Sequence, residues 1–216
     1  MGRKAKKRTL SRERVLAAAV ALADREGIDA LSMRNLGREV GVEAMSLYNH
    51  VKNKDDLLDG IVEVVAKQLE PPSIGGDWKA AMRSRAIRAH GVLMQHPWAT
   101  MLIVSRANVG PAMLRYVDAT IGCLREAGFS WAMSDHVWNA IDGYVYGFTL
   151  QKLNFPFEPE EYPVVAAQYL HLVPETEYPY LNGMTRQVIA RTHDGIQKLE
   201  LGLDVLLNGF EQHLRG

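Results

Sequence analysis

The sequence predicts an all-α protein of about nine to ten helices, with an amino-terminal three-helix helix-turn-helix domain (residues 1–70) and a larger helical body (residues 71–216). Three observations carry this. The stretch LSMRNLGREVGVEAMSLYNHVKNKDDLL, Leu31 to Leu58, spells a helix, a glycine turn, a short second helix and a capped third one. The remaining chain shows helical spacing between caps, glycines and prolines, with no strand pattern of useful length. The charge is divided: the net charge of zero hides twelve lysines and arginines against six acids through Lys54, and thirteen against nineteen beyond it. A basic reader on an acidic body suits DNA, because neutralising phosphates drives affinity.

The elements follow in order. Arg3, Lys4, Lys6, Lys7 and Arg8 form a basic arm. With LAAAVALA it imitates a secretory signal, but Arg12, Glu13 and Arg14 interrupt the run, so no leader is assigned and a cytoplasmic location is expected. Ser11 caps a first helix whose Val15, Ala18, Ala19, Leu22 and Ala23 form one stripe. Ser32 caps the second, with Leu31 stapling against Leu36, and Gly41 stands where a left-handed cap residue is wanted. The short helix from about Ala44 to His50 turns Val42, Leu47 and Val51 to the core, leaving Ala44, Met45, Ser46 and Asn49 outward with Tyr48 at the edge. Those side chains fit a groove. Asn53 caps the next helix, where Lys54 is the anomaly: a positive charge at the positive end of a helix dipole, explained if a phosphate binds there.

Pro71 to Gly76 breaks that helix and marks a boundary. Asp77 then caps a helix to about His96, stopped by Pro97. A short helix follows from Trp98, another runs from Gly110-Pro111 to about Ala127, and Ser130 caps one to Leu153. Between Asn154 and Asn182, five prolines leave room only for a short helix near Val164 to Leu172. Gly183 to His193 and Gly195 to Leu214 read as the last helices. Cys123, the one cysteine, excludes an internal disulfide and a cysteine zinc site, and sits on a helical stretch as core.

From about Arg8 to Glu70 the chain resembles the DNA-binding domain of the tetracycline-repressor (TetR) family, and GVEAMSLYNHVKNKDDLLD is similar to the tetracycline repressors themselves. Gly41, Val42, Leu47, Tyr48, His50, Val51, Lys54 and Leu58 sit on positions of the family motif. The resemblance implies that Ser32, Tyr48, His50 and Lys54 contact phosphates while Arg34, Ala44, Met45, Ser46 and Asn49 face bases. Gly37 departs from the usual alanine, and a mid-helix glycine, costing about 1 kcal/mol, is expected to loosen that helix. The carboxy-terminal part, including HPW at His96 to Trp98, resembles the ligand-binding domain of these regulators. That likeness implies a four-helix dimer interface from two helices of each subunit. Two helices here carry glycines on one face: Gly143 and Gly147 on one, Gly202 and Gly209 on the other beside Leu203, Leu206 and Phe210.

Polar or aromatic side chains on otherwise apolar helices give the pocket candidates His90, Trp98, Met101, Arg106, Trp138, Asn139, Asp142, Tyr146 and Phe148. A carboxylate at Asp142, one residue before a close-packed glycine, must find a donor, a ligand or solvent. In the tetracycline repressors the drug arrives with magnesium, but no equivalent ligands stand out here, so no cofactor is assigned. The function expected is a DNA-binding regulator, a repressor released from a pseudo-palindromic operator by a small molecule, with a second copy of itself as partner. Two alternatives stand beside it: an all-helical enzyme, although GxSxG, GxGxxG, P-loop, HExxH and CxxC patterns are absent, and a helix-turn-helix used mainly for protein contacts.

Overall fold

The computed structural model describes residues 10–158, 160–193 and 198–214. Among them are eleven α-helices, two short 3₁₀ turns and no strand. The basic arm expected before Ser11 lies outside the described residues.

Helix α1, Arg12–Glu26, starts where Ser11 Oγ accepts the Arg14 amide at 3.3 Å, and it buries Val15, Leu16, Ala19, Leu22 and Ala23. Ser32 Oγ accepts the Asn35 amide at 3.2 Å to open α2, Met33–Val40. Gly41 closes α2 in the left-handed region at φ 76°, a conformation that a Cβ disfavours. Helix α3, Ala44–Leu47, is shorter than its sequence suggests: the Tyr48 and Asn49 amides reach back only three residues, to Met45 and Ser46 carbonyls, so the chain tightens toward His50. Gly37 corrects an expectation. A Cβ there would stand 2.8 Å from the Val42 carbonyl oxygen and 3.2 Å from the Ala44 nitrogen, so the missing side chain lets α2 and α3 close up.

Asn53 Oδ1 accepts the Asp56 amide at 2.8 Å and starts α4, Lys54–Ala66. Its Leu57, Ile61, Val62 and Val65 are buried, and it packs against α1 on one side and against the body helices α6, Ala99–Ser105, and α7, Pro111–Glu126, on another. Helix α5, Trp78–Gln95, is capped by Asp77, whose Oδ1 accepts the Lys79 and Ala80 amides. It packs on α7 and on the long α8, Trp131–Leu153, which Ser130 caps through the Met133 amide at 3.1 Å.

The chain divides into two compact units, residues 1–153 with 203–216, and residues 154–202. In the second, α9, Tyr162–Tyr169, packs with α10, Pro179–Ile189. Here the prolines read as breakers begin helices instead: Pro163 lies in the first turn of α9 and Pro179 is the first residue of α10, where a missing N–H leaves no bond unmade. Helix α10 therefore starts at Pro179 rather than Gly183. The last helix, α11, is described over Leu199–Gln212; Gly195, expected to start it, and Pro159 lie outside the described residues. No helix among the described residues is long and apolar enough to cross a membrane.

The reader is tied together at the start of α4. The Arg12 guanidinium grips Asp56 with bonds of 2.9 and 2.7 Å and also reaches the His50 carbonyl at 2.8 Å, while Asp56 accepts the Lys52 amide at 2.8 Å. The Arg12 hydrogen bond holds the Asp56 carboxyl at about 2, below its usual 3.8. A depressed folded-state value means that this pair stabilises the fold above the unfolded value and is lost as pH falls through the folded one. Because Arg12 is half exposed, its screened contribution is about 0.5–1 kcal/mol. Chemical denaturation should show Asp56→Asn less stable by that amount at neutral pH, and the gap from the parent should shrink between pH 4 and pH 2; a gap independent of pH would refute the assignment.

Candidate nucleic-acid interface and body cavity

The outward face of the reader gathers the side chains that the sequence singled out. Met45 is 74% exposed and Tyr48 44% exposed, Asn49 and Arg34 are exposed, and Ala44, Ser46 and His50 are half-buried. Ser32 is exposed while its hydroxyl accepts the Asn35 amide, so its own proton remains available for an acceptor outside. Lys54 is exposed at the first position of α4. Its two acidic neighbours are occupied elsewhere, Asp56 with Arg12 and Asp55 with Arg106 at 3.1 Å. The start of α4 therefore presents Lys54 and the positive end of the helix dipole together.

Helix α4 also faces the body. Asp55, Asp59 and Glu63 are spaced four apart and share a face. Arg106, at the end of α6, donates to Asp59 at 2.7 Å and to Asp55. Glu63 accepts the Ala112 amide at 2.7 Å and the Met113 amide at 3.5 Å, capping α7, which has no side-chain cap of its own. Gly110 makes room, since a Cβ there would fall 2.1 Å from Glu63 Oε2. Farther along, Asp24 Oδ1 at the end of α1 accepts both Trp98 Nε1–H at 2.6 Å and His96 Nδ1–H at 2.8 Å. With the Gln68 amide nitrogen against the ring at 2.9 Å, His96 Nε2 is the acceptor, which fixes the tautomer. The HPW segment thus joins the body to the reader.

The body contains a cavity of about 490 Å³ between α6, α7 and α8. Of the nine pocket candidates, Trp138, Asn139, Asp142 and Tyr146 line it, together with Ile103, Val104, Asn108, Met113, Leu114, Tyr116, Val117 and Gly143. The other five stand elsewhere. Trp98 is pinned on Asp24, Arg106 on α4, and Met101 is 57% exposed. His90 bonds Thr149 and meets Phe148 edge-on where α5 packs on α8. A second cavity of about 390 Å³ lies between α1, α4 and the α6–α7 connection, and Asn108 and Met113 line both.

Asp142 is the polar centre of the first cavity. It accepts two bonds from Arg85, at 2.7 and 3.1 Å, one from Trp138 Nε1 at 2.7 Å and one from the Tyr146 hydroxyl at 3.3 Å. Arg85 is 2% exposed, and its guanidinium lies 4.6 Å from the centre of the Tyr116 ring. Burial alone would lower the Arg85 pKa, but the charge and hydrogen bonds of Asp142 outweigh it and the net direction is upward, so the group stays charged. Burial raises the phenols of Tyr116 and Tyr146. Arg85 escaped the sequence reading, although a charge on the Met82, Ala86, Ala89, Leu93 face of α5 was a readable signal. A magnesium ion finds no site here: Asp142 is the single carboxylate of the lining and four donors already engage it, and no three His, Cys, Asp or Glu side chains converge among the described residues.

The glycine faces are open. Cβ atoms added at Gly143, Gly147 or Gly209 would meet nothing within 4 Å. On α11, Arg83 bonds Asp204 at 2.6 Å and Lys79 bonds Glu211 and Asn208, holding its polar side to α5. Leu203 is fully buried within the chain, so it turns inward instead of joining an outer stripe. Leu201 and Val205 are 73% and 64% exposed, Gly209 is exposed, and Gly202, Leu206 and Phe210 are half-buried.

Comparison with known proteins matches residues 15–61 to the family described as bacterial regulatory proteins, tetR family, and residues 70–214 to the tetracyclin repressor-like C-terminal domain. The chain is 30% identical to the HTH-type transcriptional repressor DrrR1 of Streptomyces coeruleorubidus, over 93% of this chain and 80% of that one. It is 28% identical to the class D tetracycline repressor protein of Escherichia coli, over 95% and 91%. Among solved structures, ActR of Streptomyces coelicolor in complex with actinorhodin superposes with a TM-score of 0.81 at 25% identity, covering 95% of this chain and 97% of that one.

Asp142→Asn should leave the Arg85 charge buried without a counter-ion, at a cost of about 3–5 kcal/mol. Thermal unfolding reads this directly, and a variant as stable as the parent would show that the pair does not hold α5 to α8.

Proposed function

Because this chain belongs to the TetR family of bacterial transcriptional regulators, we propose that it is a homodimeric repressor, released from a pseudo-palindromic operator when a small molecule fills the α6–α7–α8 cavity. One observation carries the reading: α4 presents Lys54 beside the short α3 and is bonded, through Asp55, Asp59 and Glu63, to the α6–α7 connection that lines the cavity. In this reading residues 1–70 bind DNA in the cytoplasm, residues 71–216 bind ligand and a second copy, and the protein acts by binding rather than catalysis.

Arg34, Ala44, Met45, Ser46 and Asn49 are assigned to bases, and Ser32, Tyr48, His50 and Lys54 to phosphates. Ala44 and Met45 offer methyl contacts, so hydrogen-bonded readout falls to Arg34, Ser46 and Asn49. The open glycines of α8 and the exposed stripe of α11 are assigned to the dimer contact, which sets the spacing of the two α3 helices on their half-sites. A ligand that displaces α6 and α7 carries Arg106 and the α7 amides with it, and hence α4. A coupling of about 1–3 kcal/mol would relieve repression roughly 5-fold to 150-fold.

Selection of bound DNA from a random pool should return a pseudo-palindrome, and a metabolite library should contain a compound that releases it; recovery of no preferred sequence would defeat the proposal. Lys54→Ala should weaken binding to all sequences and reduce the salt slope by about 1, whereas Asn49→Ala should relax preference at one base position by about 1–3 kcal/mol. Equal losses on operator and random DNA for both variants would overturn this division. Gly147→Leu, on the open face of α8 but outside the cavity lining, should shift sedimentation toward monomer, and an intact dimer would remove that face from the interface.

A further inference from the structure

The second cavity, of about 390 Å³, is a groove between α1, α4 and the α6–α7 connection, separate from the α6–α7–α8 cavity except for the shared wall of Asn108 and Met113. Its inner wall is apolar: Leu16 and Met113 are buried there, and Val109, 74% exposed, is left in water at the mouth. Most of its charges are engaged within the protein. Arg12 holds Asp56, Asp59 holds Arg106, and Glu63 caps α7. Glu13 and Lys67 differ: both are exposed residues of the lining, and the side chain of neither has a hydrogen bond or ion pair among the described residues. They stand at opposite ends. Arg12 and Leu16, which flank Glu13 on α1, meet α4 at Asp56 and Gly60, whereas Lys67 follows Gly60 by seven residues, about 10 Å at a rise of about 1.5 Å per residue.

We infer that this groove is a second small-molecule site, built for an elongated zwitterion: an apolar chain against Leu16 and Met113, a cationic end at Glu13 and an anionic end at Lys67. The volume falls within the size class of small-molecule sites, and an apolar chain there covers Val109 as well as the inner wall. A molecule with one charge satisfies one end of the groove and brings nothing to the other. Both ends are exposed, so each pairing is modest and contributes about 2-fold to 5-fold in affinity. The occupant also touches the joint between reader and body, since it lies against α1, α4 and the α6–α7 connection at once. Under the proposed function an effector displaces α6 and α7, and a molecule lodged between their connection and α4 resists that displacement. It therefore acts with the operator and against the effector, and linkage requires operator DNA to tighten its binding by the same factor.

The recognition chemistry stands apart from the proposed function, while the sign of the effect on DNA rests on it, so calorimetric titration of the full chain tests the first and operator binding the second. ω-Aminooctanoic acid, whose extended length matches the separation of the two charges, should bind about 2-fold to 5-fold more tightly than octanoic acid or octylamine, each of which lacks one end. Glu13→Gln should abolish only the advantage over octanoic acid, and Lys67→Met only the advantage over octylamine; both positions are exposed, so the fold is retained. No binding of ω-aminooctanoic acid, equal binding of the three probes, or advantages that survive both substitutions overturn the site. With the operator recovered by selection, saturating ω-aminooctanoic acid should tighten DNA binding by about 5-fold or more. A probe that meets the affinity expectations but leaves operator binding unchanged or weaker supports the site and overturns its coupling to DNA. Failure to recover any operator defeats the repressor reading, and the affinities still decide the site.

Discussion

Three carboxylates on one face of α4 set how the first compact unit is built. Asp55, Asp59 and Glu63 recur at helical spacing, so one side of α4 is acidic where the α6–α7 connection offers Arg106 and the unpaired amides of Ala112 and Met113. Asp56, one position round, meets α1 through Arg12. A single helix therefore carries two sets of bonds on the side away from its apolar stripe of Leu57, Ile61 and Val65. Arg12 continues the chain of contacts to the His50 carbonyl, just beyond α3, so the orientation of the outward side chains depends on the same helix. Each bond is modest and partly exposed; their alignment on one rigid element is what matters.

The Arg85–Asp142 pair plays a different part. Pairs buried this deeply add little to stability against an apolar pair of similar shape, yet losing one partner is expensive. Their effect lies in placement: Asp142 sets the orientation of Trp138 and Tyr146 one helical turn to either side, and Arg85 stacks against Tyr116 from α5. The shape of the aromatic wall follows from one carboxylate, whose position is fixed from both α5 and α8.

The reader was legible because its signals are local. Ser11, Ser32, Asn53 and Asp77 cap helices a few residues away, and Gly41 adopts the left-handed conformation its position calls for. The α9–α10 segment was misread because a proline both ends one helix and begins another, and only the following register tells which. The cavity was half legible. Side chains lining a void and side chains filling a core have the same helical spacing, so Trp138, Asn139, Asp142 and Tyr146 were found together with Trp98, His90 and Phe148, which are packed or bonded elsewhere. Arg106 reads from the sequence as a pocket candidate, but its partners, Asp55 and Asp59, are in α4, far off in sequence, and no local spacing marks that pairing.

Asn108 and Met113 form a partition with a void on either side, one facing the aromatic wall and one facing α1 and α4. Asn108 is held by its bond to the Ile103 carbonyl at 2.6 Å, while Met113 is a flexible, compressible filler. Under the proposed function, a change of volume at Met113 alters two properties at once: the size of molecule admitted on one side and the packing beneath the DNA-reading helices on the other. Selection for a new chemical signal at this position cannot proceed independently of selection on responsiveness, so sensor range and switch sensitivity would be inherited as a single trait.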